Sequence, residues 1–287
     1  TPPKLEPLKE PPAPRKPTPE EQKKIEAIRA FWATVRKEDA LPDDLKGQAA
    51  TFPFSQQAPA FRACLYVPTT FARGRTWPLL VECTTKGASP LMLYELLPMA
   101  EKHEVLLLVI ECTFAQGRAA EQESGWTREG DKEFTNYQVS IPEMLKNMGE
   151  DEKNLQALLK QIAAKYATEP KAVGATGFLW AGMMAYRLPA VFPEQFCCGI
   201  ARTAGFSEVI MPKDIVRARH VPFYIVSGEK EPEWASQAGV QATAFFQQHQ
   251  FTKLVVEKIP NSGVDPRPEI AANYFRDAVE KALGPEQ

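Results

Sequence analysis

Histidine is scarce in this chain, and cysteine is arranged without a metal-binding pattern. Only three of the 287 residues are histidine. The cysteines form no CxxC pair and have no histidine at the spacing of metal ligands; they are Cys64, Cys83, Cys112, Cys197 and Cys198. Because free cysteine is among the most buried residue types, we interpret them as small core residues. We expect no metal and no cofactor, and the odd number of cysteines argues against a full disulfide framework.

The chain also lacks a strong net charge and a long apolar run. Its formal net charge of −2 gives no indication of a nucleic acid or an anionic membrane as a partner. It contains no apolar run of about 18 residues, so we predict no transmembrane helix. A hydrophobic fraction of 44% with 24% charged residues is instead typical of a soluble globular protein with a sizeable core.

Proline is concentrated at the beginning of the chain. Residues 1–19 contain eight prolines, a composition that favours extended polyproline conformation and cannot build a core of its own. We therefore predict an extended arm. It lies either on the surface of its own domain or on a protein partner.

Residues 20–54 are predicted as an N-terminal helix and a linker. Thr18 and Glu21 have the spacing of a capping box, with Pro19 at the first helical position. Apolar residues recur at helical spacing at positions 25, 28, 31, 32 and 35, so one face of this helix must be covered. We expect it to pack on the main domain; the alternative is a helix that binds a protein partner.

Residues 55–287 are predicted to form an α/β domain. Strands are expected at 62–67, 78–83, 105–111, 172–176, 196–201, 223–227 and 254–259, and helices at 90–102, 151–167, 180–188, 235–249 and 268–283. This alternation predicts a doubly wound, mostly parallel sheet that is flanked by helices. Residues 113–149 contain several glycines and Pro142 and are interpreted as a loop-rich excursion, the kind of connection that often forms a lid or a binding loop.

A sharp strand-to-helix turn is predicted at residues 177–182, whose sequence is GFLWAG. It resembles the turn that presents the nucleophile in serine hydrolases, which also joins a strand to a helix. Gly177, Ala181 and Gly182 supply the small residues that such a tight turn requires. However, Leu179 stands at the position of the nucleophilic serine.

Four further phrases occur around this turn in the order of a known family. They are YVP at 66–68 followed by WPLLV at 77–81, FPEQF at 192–196, PFYIVSGEKEP at 222–232 and IPNSGV at 259–264. Together with the turn they resemble the α/β-hydrolase superfamily, and within it secreted esterases of the polyhydroxybutyrate-depolymerase and feruloyl-esterase type. The resemblance extends from about residue 60 to 283. It implies the α/β-hydrolase fold and, with a leader removed, a secreted, periplasmic or cell-envelope location.

The resemblance also assigns the three positions of a catalytic triad. Leu179 lies at the nucleophile and has no oxygen or sulfur with which to attack a carbonyl. Glu231 lies at the acid. Val264 lies at the histidine and cannot accept a proton. We therefore expect a degenerate triad, in which two of the three positions have lost their chemistry.

Other residues offer no obvious replacement. His103, His220 and His249 precede strands, which places them at the edge of the sheet opposite to the one where α/β proteins bind ligands. In the oxyanion region, Thr84 and Thr85 stand where relatives carry a His-Gly phrase, and Trp180 follows Leu179. Trp180 and Leu179 suggest either a filled pocket or an apolar binding cleft.

Three functions remain open at this point. The favoured one is a catalytically inactive α/β-hydrolase-fold protein that acts as a binding, scaffold or envelope-complex subunit, with a protein partner bound through the arm and the N-terminal helix. The alternative is an active carboxylic-ester hydrolase with an unorthodox site built from Glu231 and the 113–149 excursion. A third possibility is a retained pocket for a small apolar or aromatic ligand, with Trp126, Trp180 and Trp234 as stacking residues.

One structural test distinguishes an inherited turn from a decayed one. A nucleophile turn holds its central residue in the left-handed backbone region, which costs a leucine on the order of 1 kcal/mol or more. Leu179 should have relaxed to an ordinary backbone conformation if the turn has decayed together with its chemistry.

Overall fold

The computed structural model describes residues 17–55, 61–115 and 141–284. Its strands are β1 (Arg36–Lys37), β2 (Gln48–Pro53), β3 (Arg62–Val67), β4 (Trp77–Thr84), β5 (Leu106–Glu111), β6 (Thr168–Phe178), β7 (Cys198–Arg202), β8 (Phe223–Gly228) and β9 (Leu254–Ile259). They form one sheet in the order β1-β2-β3-β5-β4-β6-β7-β8-β9. Strand β3 pairs antiparallel with both of its neighbours, and the remaining pairs are parallel.

Six α-helices cover the two faces of the sheet in the described part of the chain. They are α1 (Pro19–Thr34), α2 (Ser89–Lys102), α3 (Ile141–Tyr166), α4 (Met183–Val191), α5 (Glu233–Gln248) and α6 (Pro268–Leu283). Alternate residues of the central strands point to opposite sides. Val81 of β4 packs in the core with α3, α4 and α5, whereas Leu80 packs in the core with α2 and α6. The predicted fold class, a doubly wound and mostly parallel sheet, is confirmed.

Helix α1 lies on α2. Thr18 caps it, accepting a hydrogen bond from the backbone of Glu21. The predicted apolar face is covered: Ile25 and Ile28 are buried, and the Phe31 ring lies 5.7 Å from that of Tyr94 on α2. Among the residues that the model describes, no helix is long and apolar enough to cross a membrane.

Three sequence-based assignments need correction. The segment predicted as a linker within residues 20–54 contributes strands β1 and β2 to the sheet. The helix predicted at 151–167 begins at Ile141, within the predicted excursion. Pro142 is compatible with this start because it occupies the first turn, where a missing N–H is tolerated. The helix predicted at 180–188 begins at Met183, after a 3₁₀ turn at Leu179–Gly182. The Pro-rich arm up to residue 16 and residues 116–140 lie outside the described part of the chain.

Candidate functional site

The turn after β6 keeps the backbone of a nucleophile-bearing turn. Leu179 has a φ of +56°, in the left-handed region that leucine avoids. The turn is also as tight as the sequence implied, because a Cβ atom on Gly177 would lie 2.9 Å from the Cα of Gly182. A Cβ atom on Gly182 would lie 2.5 Å from the Cβ of Ala204. The geometry of the turn is therefore retained, and Leu179 has not relaxed.

Residues 204–206 lie against this turn. Gly205 donates a backbone hydrogen bond of 3.3 Å to the carbonyl of Leu179. Trp180 is half-buried and packs on the core, and its indole would lie 3.4 Å from a Cβ atom on Gly205. The Leu179 side chain is also half-buried. Both side chains thus contribute apolar surface at the centre of the sheet edge where the strands end.

The acid position pairs with an arginine. Glu231 follows β8, and its Oε1 atom lies 2.9 Å from the guanidinium of Arg267. Both side chains are buried, with relative exposures of 0% and 3%. The same Oε1 atom accepts hydrogen bonds from the Thr203 hydroxyl at 2.6 Å and the backbone N–H of Gly228 at 2.5 Å. One oxygen of this carboxylate is therefore fully engaged without any histidine, whereas the Oε2 atom is buried and has no hydrogen-bond partner among the described residues.

Arg267 occupies the space beside the acid, and Val264 does not. The guanidinium donates to the Thr203 hydroxyl at 2.6 Å, to Ser262 at 3.1 Å and to the carbonyl of Gly263. Val264, the position that the resemblance assigns to histidine, is 40% exposed. Arg267 was not singled out from the sequence, because nothing in its local pattern shows that it turns inward.

A second buried ion pair is joined to the first through adjacent residues. Arg202, next to Thr203 at the end of β7, pairs with Glu82 of β4, and both side chains have no exposed surface. Arg202 also donates to the Thr176 hydroxyl at 3.1 Å and to the carbonyl of Pro266. These bonds fix the loop after β9 to the sheet, and burial raises the pKa of Glu82.

The segment predicted to be the oxyanion region precedes a loop that a carboxylate on the neighbouring strand holds. Thr84 is buried at the end of β4, and Thr85 follows it half-buried. Glu111 of β5 accepts hydrogen bonds of 3.0 Å from both the backbone of Gly87 and the hydroxyl of Ser89. The loop after β4 is therefore anchored by a side chain that the sequence did not single out.

Asp151 is a further residue at this edge that sequence reasoning missed. It lies within α3 and is fully buried, and its Oδ2 atom accepts a 2.8 Å hydrogen bond from the backbone of Thr113. Burial raises its pKa to about 7. The signal was present in the sequence, since Asp151 falls on the apolar stripe between Met148 and Leu155, but a predicted helix start at residue 151 made it resemble a cap.

All three histidines lie at the opposite edge of the sheet, as predicted. His103 follows α2, and His249 follows α5. Both ring nitrogens of His220 lie within 3.2 Å of backbone carbonyls, those of Arg217 and Pro193. Because the chain has no other histidine, none of its imidazoles can reach Leu179 or Glu231.

The structure describes only part of the predicted aromatic pocket. Trp234 lies half-buried in the first turn of α5, whereas Trp126 lies outside the described residues.

A cavity of about 520 Å³ lies at the edge where the strands begin, so the sheet separates it from Leu179. Its lining includes Asp43, Arg73, Lys165 and Tyr166. Within the described ranges, no cluster of three or more His, Cys, Asp or Glu residues could hold a metal ion.

Comparison with solved structures gives many matches to enzymes. A ferulic acid esterase from Anaeromyces mucronatus superimposes with a TM-score of 0.56 at 10% identity over 87% of this chain and 99% of its own. The S-formylglutathione hydrolase from Agrobacterium tumefaciens gives 0.53 at 14% identity over 84% and 97%. A putative dipeptidyl aminopeptidase IV from Bacteroides ovatus gives 0.53 at 14% identity over 82% of this chain, which spans only 36% of that larger chain.

Sequence comparison adds no closer relative. No protein-family model matches the chain, and no curated protein matches it. The three structures named above are each below 25% identity and therefore establish the fold alone. The chain has the α/β-hydrolase fold.

Proposed function

We propose that this protein is a catalytically inactive α/β-hydrolase-fold protein that acts by binding. The buried Glu231–Arg267 pair is the observation that carries the proposal. In a serine hydrolase the triad acid orients a histidine that accepts the proton of the nucleophile. An arginine side chain remains protonated in proteins and has no lone pair with which to act as a base.

The position of the nucleophile supports the same conclusion. Leu179 holds the backbone conformation of a nucleophile, but its side chain offers only carbon. A covalent acyl intermediate therefore cannot form there. Leu179 stands at the position of the nucleophile and Val264 at that of the histidine, so the triad is degenerate at these two positions. Arg267 occupies the space beside the acid.

A protein partner fits this proposal better than a substrate does. The Pro-rich arm of residues 1–19 has the composition of segments that dock as extended polyproline on aromatic grooves. The apolar face of α1 is already covered by α2, so the arm is the better candidate for the contact. We propose that it acts as a scaffold or envelope-complex subunit, and, from the resemblance to secreted esterases, that it does so outside the cytoplasm.

Activity-based labelling tests the proposal. We expect no covalent labelling by a fluorophosphonate probe and no burst or turnover with p-nitrophenyl esters, whereas an active ferulic acid esterase serves as the positive control. The Leu179→Ser variant provides a matched chain in which only the nucleophile is restored. Stoichiometric labelling of the unaltered chain would contradict the proposal.

The alternative is an active carboxylic-ester hydrolase with an unorthodox site. The solved structures that match this chain are named as esterases, hydrolases and peptidases, and Asp151 has a pKa of about 7, which suits proton transfer at neutral pH. If this alternative holds, the protein turns over ester substrates, and Glu231→Gln and Asp151→Asn each reduce that turnover. Turnover that neither substitution changes would remove it.

A retained ligand pocket is tested separately. Feruloylated sugars and hydroxyalkanoate oligomers carry the aromatic and apolar groups that Leu179 and Trp180 could contact. A ligand that binds the native state raises its melting temperature. We expect a shift with one of these classes that Trp180→Ala reduces, and no shift with the sugar alone.

A further inference from the structure

Asp151 is a buried carboxyl group at the junction of a helix and the sheet. It lies in the middle of α3 with none of its surface exposed, on the stripe that also carries Met148 and Leu155. A mid-helix aspartate normally points to solvent, because burying a carboxylate without a cation is costly. Its position therefore calls for a physical explanation.

The carboxyl group holds the turn that follows β5. Its Oδ2 atom accepts a 2.8 Å hydrogen bond from the backbone N–H of Thr113 and a longer one of 3.5 Å from that of Phe114. The Thr113 hydroxyl in turn donates to the carbonyl of Asn147 on α3 at 3.3 Å. Three hydrogen bonds thus join the 3₁₀ turn Thr113–Ala115 to the helix.

No cation balances this carboxyl group in the described residues. From its own helix the charge of Glu152 acts on it, and Glu152 forms an ion pair with Arg187 of α4. From the sheet, the thiol of Cys112 on the β5 side lies near it and also contacts Cys83 of β4. The Oδ1 atom is buried and has no hydrogen-bond partner among the residues that the structure describes.

We propose that Asp151 is a proton-dependent anchor that fastens the turn Thr113–Ala115 to α3 and releases it when the proton is lost. A protonated carboxyl group can remain buried there, with one oxygen still accepting from Thr113. A carboxylate at the same place has Glu152 and the Cys112 thiol as neighbours, and no positive charge among the described residues acts on it. This proposal stands independently of the proposed function.

The direction of the effect follows from linkage. Burial raises the pKa of Asp151 from its ordinary value of 3.8 to about 7 in the closed turn. When the turn opens, the side chain reaches water and returns to the ordinary value. Between these two values, opening releases a proton, so the opening equilibrium constant should rise by up to about tenfold per pH unit and level off above the higher value.

Hydrogen–deuterium exchange of the full chain measures this opening. Exchange of the peptide covering residues 106–115, corrected for the intrinsic rate, should give an opening constant that rises steeply from about pH 5 to 7 and then stays level. Asp151→Asn should remove the slope, because asparagine does not titrate. Asp277→Asn, an exposed aspartate on α6, is the matched control and should keep it.

A flat wild-type profile, or a slope that Asp151→Asn leaves intact, would overturn the proposal. If that variant does not fold, the unaltered chain still decides, because the carboxyl carbon of Asp151 can be titrated by ¹³C NMR. A midpoint above about pH 6 supports the anchor. A midpoint at or below that value overturns it.

Discussion

Two buried carboxyl groups at the same sheet edge are stabilised in opposite ways. Glu82 and Asp151 are both without exposed surface, and burial raises the pKa of each. Glu82 faces Arg202, whose charge counteracts the effect of burial. Among the described residues, Asp151 has the backbone N–H groups of Thr113 and Phe114 and the Thr113 side chain as partners and no cation, so it gains stability by retaining a proton. The fold thus uses a cation on one side of the sheet and a proton on the other.

This difference matters because the two solutions respond differently to change. An ion pair fails when one partner is removed, since the remaining charge is left buried. A protonated acid fails when the pH rises, since the proton leaves and no cation replaces it. Substitutions at these two carboxyl groups and at their neighbours test this contrast.

Arg202→Met should have the largest effect. It leaves Glu82 buried without its cation and removes the hydrogen bonds to Thr176 and Pro266, so we expect a loss of about 3–5 kcal/mol in the free energy of unfolding. Urea denaturation measures it. Arg276→Met, at an exposed arginine, is the control and should change stability by less than about 0.5 kcal/mol. A loss below about 1 kcal/mol for Arg202→Met would show that the pair is not needed.

Asp151→Asn should act in a pH-dependent direction. The folded pKa of Asp151 lies above its unfolded value, so the chain takes up a proton on folding between about pH 4 and 7, and the stability of the wild type declines through that window. The variant escapes this decline. We expect it to be more stable than the wild type by on the order of 4 kcal/mol at about pH 8 and equal to it near pH 4. Denaturation at the two pH values provides the measurement, and a difference that does not vary with pH would contradict the prediction.

The Glu231–Arg267 pair should show intermediate coupling. Glu231→Gln and Arg267→Met each leave one member of the pair buried, so we expect each to cost about 2 kcal/mol, with the double variant less destabilised than the sum by about 1–2 kcal/mol. A double-mutant cycle from denaturation curves measures this coupling. Additive losses would show that the two side chains are stabilised by their other neighbours instead.

An uncharged position at the same edge provides the reference. Leu179→Gly and Leu179→Ala both remove the side chain, but only glycine tolerates the left-handed backbone without strain. We expect the glycine variant to be the more stable of the two by about 1 kcal/mol at any pH, the reverse of the usual order within regular structure. A difference that changes with pH would mean that the turn is coupled to the ionisable groups.

The parts of this molecule that the sequence predicts are those set by local pattern. The apolar runs of β4 and β5 and the glycines around Leu179 lead directly to the strands and the turn. Strand β2 was not predicted, because its sequence QAATFP is only weakly apolar and forms a strand by pairing with β3. Pro142 led to the prediction of a loop where α3 begins, because the sequence alone does not distinguish proline in a first helical turn from proline in a loop.

The candidate site is less accessible to sequence reasoning, for a physical reason. Glu231 and Leu179 could be located from their neighbours along the chain. Arg267, in contrast, has meaning only through Glu231 and Thr203, which lie 36 and 64 residues away along the chain. Its burial is a tertiary fact that no local pattern records. The same holds for Asp151, whose partner Thr113 belongs to another element.

Because Leu179 already has a left-handed backbone, a nucleophile would be easier to introduce into this site by design than a base would be. A serine introduced there would be presented by a turn that is already formed, so installing a nucleophile requires a single substitution and no change of the main chain. Installing the base is a different task, because an imidazole beside Glu231 must displace Arg267 and break a buried ion pair. An effort to build a Ser-His-Glu triad into this fold should therefore begin with the loop after β9, which carries Arg267.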